Sequence, residues 1–186
     1  PPLTVASMKE WLRDHGASNV PPDSAREPSD PERYSVCMHA DPMSMTTASL
    51  VARLPEEIGR RPWPVWISFG TPCTGIFLPV YLDGTLPASL ASPRIAGPGE
   101  SQETSVRRGA WDAFRCLQER ATGQFDTAQP VRDQGWRDLE RRIELERLRV
   151  EQQTATLFAA DQGDDVSDLL TGFSPHSPRQ ARHTAQ

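Results

Sequence analysis

Residues 64–82, with the sequence PVWISFGTPCTGIFLPVYL, contain two strand patterns separated by a turn. In the first pattern Val65, Ile67 and Phe69 alternate with residues of the opposite face, which is the period of a β-strand. A second alternating run follows the turn-forming residues GTPCTG, so the two runs predict an antiparallel pair. Pro79 predicts that the second strand lies at a sheet edge or a bulge, because proline cannot donate a ladder hydrogen bond.

Two more strands are predicted upstream of this pair. The runs YSVCMHA at 34–40 and TTASLVARL at 46–54 alternate in the same way and are bounded by turn residues. Downstream, apolar residues recur with a helical period over 106–121 and 132–159. We therefore expect an α+β fold in which helices pack on an antiparallel sheet, with the strands in the strand-rich part at 34–82.

The two ends of the chain have different patterns. MKEWLRDH at 8–15 predicts a short surface helix with Ser7 as its N-cap and Gly16 as its stop. Residues 161–186 are polar and contain two prolines and two histidines. We expect a disordered tail there, with order only around the leucine pair at 169–170.

The composition limits the compartment and the partners. The 186 residues carry a net charge of -5, and the arginines of 107–149 alternate with acidic residues, so we predict no nucleic-acid partner. The sequence has no apolar run of about 18 residues and no signal-peptide pattern, which predicts no membrane association. Three widely spaced cysteines form no disulfide framework and fit a reducing compartment. We therefore expect a cytoplasmic protein without a cofactor.

The segment 132–159 has no proline and predicts one long amphipathic helix. Its apolar residues recur at steps of three, four and seven. They are Trp136, Leu139, Ile143, Val150 and Leu157. Glu146 interrupts the repeat, so packing of this stripe on the sheet is favoured over a coiled coil. The same stripe motivates a second hypothesis, a noncatalytic interaction protein that binds a partner or forms a homo-oligomer through this helix.

The cysteines and histidines are the first candidates for chemistry. Cys37, His39 and Asp41 suggest metal ligands or a thiol with its base, but the sequence has no CxxC or HxxxH pair, so we predict no metal site. On an extended strand the Cα atoms of Cys37 and His39 stand about 6.5 to 7 Å apart, which predicts no direct contact between thiol and imidazole. Cys73 is predicted at a turn between strands and Cys116 on an apolar helix face, both in structural roles.

Other enzyme signatures are weak or absent. Pro1 would supply a secondary amine as a general base, but Pro2 follows it directly and no βαβ pattern opens the chain. The sequence contains no GxSxG, GxxxxGK[ST], GxGxxG or HExxH motif. Local motifs therefore indicate none of these familiar enzyme classes.

The string as a whole resembles the C-terminal half of the secernins and the related dipeptidase A type peptidases. The resemblance covers roughly residues 3–158 and is strongest over 34–80. Its motifs, in chain order, are LRDHG at 12–16, SVCMHA at 35–40, TTAS at 46–49, WISFGTPC at 66–73 and FLPV at 77–80. Their agreement in order and spacing makes this family the expectation for the chain.

The resemblance implies an N-terminal nucleophile (Ntn) hydrolase with a four-layer αββα sandwich. Such enzymes cleave amide bonds in dipeptides or small linear amides with a cysteine that begins the mature chain. That nucleophile would lie upstream of Pro1, so the resemblance implies a C-terminal portion of a hydrolase, inactive on its own. Residues 1–160 would form the partial domain, and a small peptide or amide would be its substrate once the N-terminal half completes it.

The same resemblance gives candidate pocket residues but no catalytic residue in this chain. Polar side chains on the predicted strand faces are candidates to line the amide pocket or to orient oxyanion donors. They are Ser35, His39, Thr46, Thr47 and Ser68. Ordinary hydrogen bonding within the sheet is the alternative for each of them. Cys37 and Cys73 belong to the motifs without an assigned role.

Overall fold

The computed structural model describes nine parts of the chain: residues 2–16, 34–40, 44–54, 62–82, 84–86, 90, 110–122, 125–160 and 163–172. Its helices are α1 (Val5–Leu12), α2 (Ala110–Thr122), α3 (Phe125–Ala159) and α4 (Gly163–Gly172). Its strands are β1 (His39–Ala40), β2 (Ser44–Met45), β3 (Ala48–Ala52), β4 (Pro64–Phe69) and β5 (Leu78–Tyr81). The predicted mixture of helices with an antiparallel sheet is confirmed.

The main sheet has three antiparallel strands in the order β3-β4-β5. Leu50 pairs with Ile67, and Ile67 pairs with Leu78, so the register continues across the sheet. The strand that contains Pro79 lies at an edge of this described sheet, as predicted. The first predicted strand, 34–40, is reduced to β1, which pairs only with β2 and does not join the main sheet.

Helix α1 covers one face of the sheet. Thr4 is its N-cap and exchanges hydrogen bonds with Ser7 in a capping box, so the prediction of Ser7 as the N-cap was wrong. Ser7 instead occupies the third helical position and its Oγ accepts from the backbone N–H of Thr4 at 2.8 Å. The apolar side of α1 packs on a buried cluster of the sheet, formed by Val51, Trp66 and Phe77.

Helix α3 packs as the sequence predicted, on the sheet rather than on a second helix of the same kind. Ile143 lies in a cluster with Ile76 and Leu78, and Trp136 and Leu139 pack against that cluster. About two helical turns further along, Val150 packs with Tyr81 and with α4. The stripe that motivated the interaction hypothesis is therefore largely covered within this chain.

Helix α4 lies where a disordered tail was expected. Val166 and Leu170 are buried against Tyr81 and Val150, because both project from one side of the helix at a spacing of four residues. The expected tail at 161–186 thus differs from the structure over Gly163–Gly172. Residues 173–186 lie outside the described residues. None of the described helices combines the length and the apolar character that a membrane crossing needs.

Candidate metal centre

Four side chains with metal-binding atoms meet at one place beside the sheet. They are His15, Cys37, His39 and Cys73, and their donor atoms all lie within 4.8 Å of one another. His39 Nε2 lies 3.1 Å from Cys73 Sγ and 3.6 Å from Cys37 Sγ. The rings of His15 and His39 meet edge to face with their centroids 5.3 Å apart. Two imidazoles and two thiols therefore share one small volume.

The first donor, His15, comes from the segment that leaves α1. The helix ends at Leu12, and Gly16 adopts a φ of +84°, a left-handed conformation that suits glycine. Between them, the carbonyl of Asp14 accepts a hydrogen bond of 2.9 Å from the backbone N–H of Cys37. This bond joins the first ligand segment directly to the second. His15 itself is 4 % exposed.

The second segment provides two donors because its backbone bends. Residues 36 and 37 form a bend rather than an extended strand, and regular pairing begins only at His39. The prediction that the Cys37 thiol and the His39 imidazole stay apart was therefore wrong. It assumed a straight strand, whereas the bend turns both side chains towards Cys73.

The third segment is the turn between β4 and β5, which we call the Cys73 turn and define as residues 71–77. Its position between two strands is as the sequence predicted. The backbone N–H groups of Thr74 and Gly75 both bond to the carbonyl of Thr71, and the hydroxyls of Thr71 and Thr74 lie 2.9 Å apart. The turn is thus braced internally on both sides of its cysteine.

Side chains from the helices hold the Cys73 turn from outside. Gln118 of α2 accepts from the N–H of Thr71 at 3.1 Å, and the indole of Trp136 donates to the carbonyl of Thr74 at 3.0 Å. These contacts satisfy backbone groups of a buried turn that the strands cannot reach. They also fix the turn relative to α2 and α3.

Two of the predicted pocket residues support the site from outside, because they brace the backbone around Cys37. Ser35 Oγ donates to the carbonyl of Cys37 at 2.9 Å. Thr46 Oγ1 accepts from the N–H of Met38 at 3.0 Å and donates to the carbonyl of Val36 at 3.2 Å. Their contacts are the hydrogen bonding within the fold that was the alternative to a pocket role.

The remaining predicted residues lie in different places. His39, Cys37 and Cys73 lie in the four-residue cluster. Thr47 is exposed, and its contribution is a carbonyl that accepts from the N–H of Gly70 at 2.8 Å. Ser68 is fully buried on β4, and within the described part of the chain its hydroxyl has no hydrogen-bond partner. Pro1 and Asp41 lie outside the described residues.

The two thiols of the cluster differ in acidity. The pKa of Cys37 is raised, first because its thiol proton is held in a hydrogen bond to Cys73 and then because the group is buried. The pKa of Cys73 is lowered by that same hydrogen bond, and contacts with His15 and His39 add to this effect against the opposing effect of burial. Of the two, Cys73 is therefore the more acidic thiol and Cys37 the less acidic one.

The geometry fits a tetrahedral zinc ion. Zn–S bonds of about 2.3 Å and Zn–N bonds of about 2.0 to 2.1 Å place a sulfur and a nitrogen ligand about 3.6 Å apart. The two N···S distances at His39, 3.1 and 3.6 Å, are close to that edge. The upper limit of 4.8 Å for the whole set exceeds a tetrahedral edge by only about 1 Å.

The donor set also fits zinc in charge and in coordination number. Two thiolates and two neutral imidazoles around a divalent ion give a centre with no net charge, which is compatible with the burial of His15 and Cys37. Four protein ligands leave no open coordination position, and closed sites of this kind are structural rather than catalytic.

Sequence reasoning did not find this site because its donors come from three separate segments. His39 and Cys73 are 34 positions apart, and only the C-x-H spacing of Cys37 and His39 is local. His15 was predicted as the last residue of a helix over 8–15, whereas the helix ends at Leu12. Two signals were available: the C-x-H spacing of Cys37 and His39, and a histidine or cysteine at or beside a predicted turn in each segment.

Comparisons with protein-family models, with curated proteins and with solved structures found no match to this chain.

Proposed function

We propose that this chain binds one Zn²⁺ ion through His15, Cys37, His39 and Cys73, and that the ion has a structural role. The observation that carries the proposal is the convergence of two thiols and two imidazoles within 4.8 Å from three separate segments. Each donor type is a preferred zinc ligand, and the set fills a tetrahedral shell. Incidental packing of buried polar side chains gives no reason for four zinc-ligand atoms to lie so close together.

The proposed ion would join the parts of a small fold. The described buried apolar residues fall into three separate clusters rather than one large core. The ion would join the end of α1 to the segment that enters β1 and to the Cys73 turn. Because a preformed site rarely exists in an unfolded chain, the free energy of zinc binding would add to the free energy of folding.

Metal content and a matched set of variants test this proposal. The wild-type chain, purified without a metal-chelating tag and dialysed with zinc, should retain one equivalent by atomic emission. Co²⁺ in its place should give the visible bands of a tetrahedral thiolate site. Cys37→Ser and Cys73→Ser should lose stoichiometric binding, whereas Cys116→Ser should keep it because Cys116 is not in the cluster.

Two results would contradict the zinc proposal. One is a wild-type chain that retains no zinc above the background of the dialysis buffer. The other is equal retention by Cys73→Ser and Cys116→Ser, which would place the bound metal elsewhere.

We also propose, as a second candidate, that the chain is part of a cysteine amide hydrolase of the secernin and dipeptidase A type, with its sheet as part of an αββα sandwich. The ordered motifs support it, and one structural observation favours it. Three of the motif stretches, at 12–16, 35–40 and 66–73, provide the four converging side chains, so they serve one common site. The proposal assigns no nucleophile among the described residues.

Amide hydrolysis has its own test. The reading frame that includes the codons before Pro1 should encode a cysteine after a methionine or a short propeptide. Its full product should release amine from dipeptides, and a Cys→Ala change of that cysteine should abolish the release. Absence of such a cysteine, or no hydrolysis by the full product, would overturn this candidate and leave the zinc proposal unaffected.

A further inference from the structure

A buried ion pair links the metal centre to α3. Arg13, two residues before His15, donates from Nε to the carbonyl of Pro72 at 3.1 Å. Its terminal nitrogen lies 2.5 Å from Glu140 Oε1. Pro72 directly precedes Cys73, so this guanidinium joins the segment of His15 to that of Cys73.

Glu140 completes this link from the other side of the Cys73 turn. The same carboxylate oxygen that bonds Arg13 accepts from the backbone N–H of Phe77 at 2.8 Å. The Cys73 turn is therefore held near both of its ends, at Pro72 by Arg13 and at Phe77 by Glu140. Both charged side chains are mostly covered, with exposed fractions of 19 % and 16 %.

The contacts of Arg13 and Glu140 restrict how the segments of His15 and Cys73 can lie relative to each other. Arg13 also lies over the ring of Phe77, 5.0 Å from its centroid, which limits the positions that its guanidinium can take. Charge-assisted hydrogen bonds in a covered site are short and directional. Separating the two side chains would leave each charge largely covered and without its partner, which costs free energy. The separation between the segment of His15 and that of Cys73 is thereby fixed.

From this arrangement we infer that Arg13 and Glu140 are the positioning residues of the metal centre. They hold His15 and Cys73 at the separation that a tetrahedral ion requires, and so they set the zinc affinity. The inference rests on the proposed zinc function. Outer groups that orient zinc ligands typically change metal affinity by about 10- to 100-fold when they are removed.

The test measures zinc affinity by competition with a chromophoric chelator. Arg13→Met removes the bonds to Pro72 and Glu140, together with a long one to Glu10, but keeps an apolar stem over Phe77. Glu140→Gln removes only the charge. Each should bind zinc about 10- to 100-fold more weakly than the wild type. The double variant should be no weaker than the weaker single variant, because the two residues act as one unit.

The matched control is the exposed ion pair of Glu146 and Arg149 on the same helix. Glu146→Gln should leave zinc affinity unchanged, because this pair touches no ligand segment. Arg13→Lys keeps the charge pair with Glu140 but lacks the fork that reaches Pro72, so it should recover part of the affinity. In the Co²⁺ form, Arg13→Met should also shift the thiolate-to-metal absorption, which a role in fold stability alone would not do.

The outcomes distinguish a failure of the zinc proposal from a failure of the positioning role. If the wild type binds no zinc, the zinc proposal and this inference both fail. If the wild type binds one zinc and Arg13→Met, Arg13→Lys and Glu140→Gln bind it equally well with unchanged Co²⁺ spectra, only the positioning role is overturned. Should Arg13→Met not fold, Arg13→Lys and Glu140→Gln decide the question.

Discussion

At the residue scale, the unequal acidity of Cys37 and Cys73 defines the chemistry of the centre. The pKa of Cys73 is lowered and that of Cys37 is raised, first of all because of the hydrogen bond between them, so we expect zinc to meet one thiolate and one thiol. Zinc binds thiolates, so it must displace the proton that Cys37 keeps. Metal affinity and pH are therefore linked through this one group.

This link predicts how many protons zinc releases. Near pH 7.4 the thiols should release about one proton for each zinc, whereas two ordinary thiols would release nearly two. The pKa of Cys73 is lowered, so its proton has already left, and that of Cys37 is raised, so its proton remains. Calorimetry in buffers of different ionisation enthalpy counts the released protons.

The same linkage gives the pH dependence of affinity. Since binding displaces one thiol proton, the apparent dissociation constant should fall about tenfold for each pH unit as the pH rises above neutrality, where ordinary imidazoles are already neutral. A proton count near two from the thiols would show that Cys73 is protonated in the metal-free chain and would contradict the assigned acidities.

At the scale of elements, the Cys73 turn and α3 differ in the space that they leave for a side chain at a glycine position. A Cβ on Gly75 would lie 2.6 Å from Ser68 Oγ and 2.9 Å from the carbonyl oxygen of Phe69. A Cβ on Gly135, within α3, would meet no atom within 4 Å. Close packing thus requires glycine in the turn but not in the helix.

Alanine substitutions at the two glycines should have opposite effects on stability. Gly75→Ala should lower the free energy of unfolding by about 1 to 3 kcal/mol, because buried backbone must move to admit the methyl group. Gly135→Ala should raise it by about 0.5 to 1 kcal/mol, because alanine loses less entropy in a helix. Urea unfolding of both variants measures the difference, and equal effects of the same sign would refute the argument.

Helix α4 gives a second comparison at this scale. Leu170 is 3 % exposed between Tyr81 and Val150, so Leu170→Ala should cost about 2 to 5 kcal/mol of unfolding free energy. Leu148 of α3 is 50 % exposed, and Leu148→Ala should change stability by no more than about 0.5 kcal/mol. If the two variants unfold at the same urea concentration, α4 does not belong to the core.

Local patterns explain which elements could be predicted from the sequence. The central strands and the long helix were predictable because alternation and helical period lie within a few neighbouring residues, as in Val65, Ile67 and Phe69. Helix α4 was predicted only as order around Leu169 and Leu170, because its few packing residues lie within a short polar segment. The centre was missed because it depends on how His15 meets Cys73, which is a property of the folded chain.

At the scale of the whole molecule, the proposed ion would act as a stabilising ligand of the folded state. A ligand that binds only the folded chain raises its stability by an amount set by the ratio of free ligand to dissociation constant. The described fold has three small clusters rather than one core, so this contribution is large relative to the net stability expected of a small domain.

Zinc should therefore raise the melting temperature of the wild-type chain. At free zinc 100-fold above the dissociation constant, the gain should be about 2.7 kcal/mol. A strong chelator should reverse this gain, and Cys73→Ser should melt at one temperature with or without zinc. Differential scanning fluorimetry measures all of these, and an equal response of the Cys73→Ser variant would contradict the proposal.

The convergence of three segments on one ion has a topological consequence. Besides the short ring from Cys37 to His39, the ion would close the chain into two long rings, one between His15 and Cys37 and one between His39 and Cys73. A protease cut within either ring would leave both fragments tied to the same atom, so the nicked protein would still migrate as one species in a native gel. A chelator that removes the metal would break the link between the two fragments. Reduction has the same effect on a nicked protein whose fragments are joined by a disulfide.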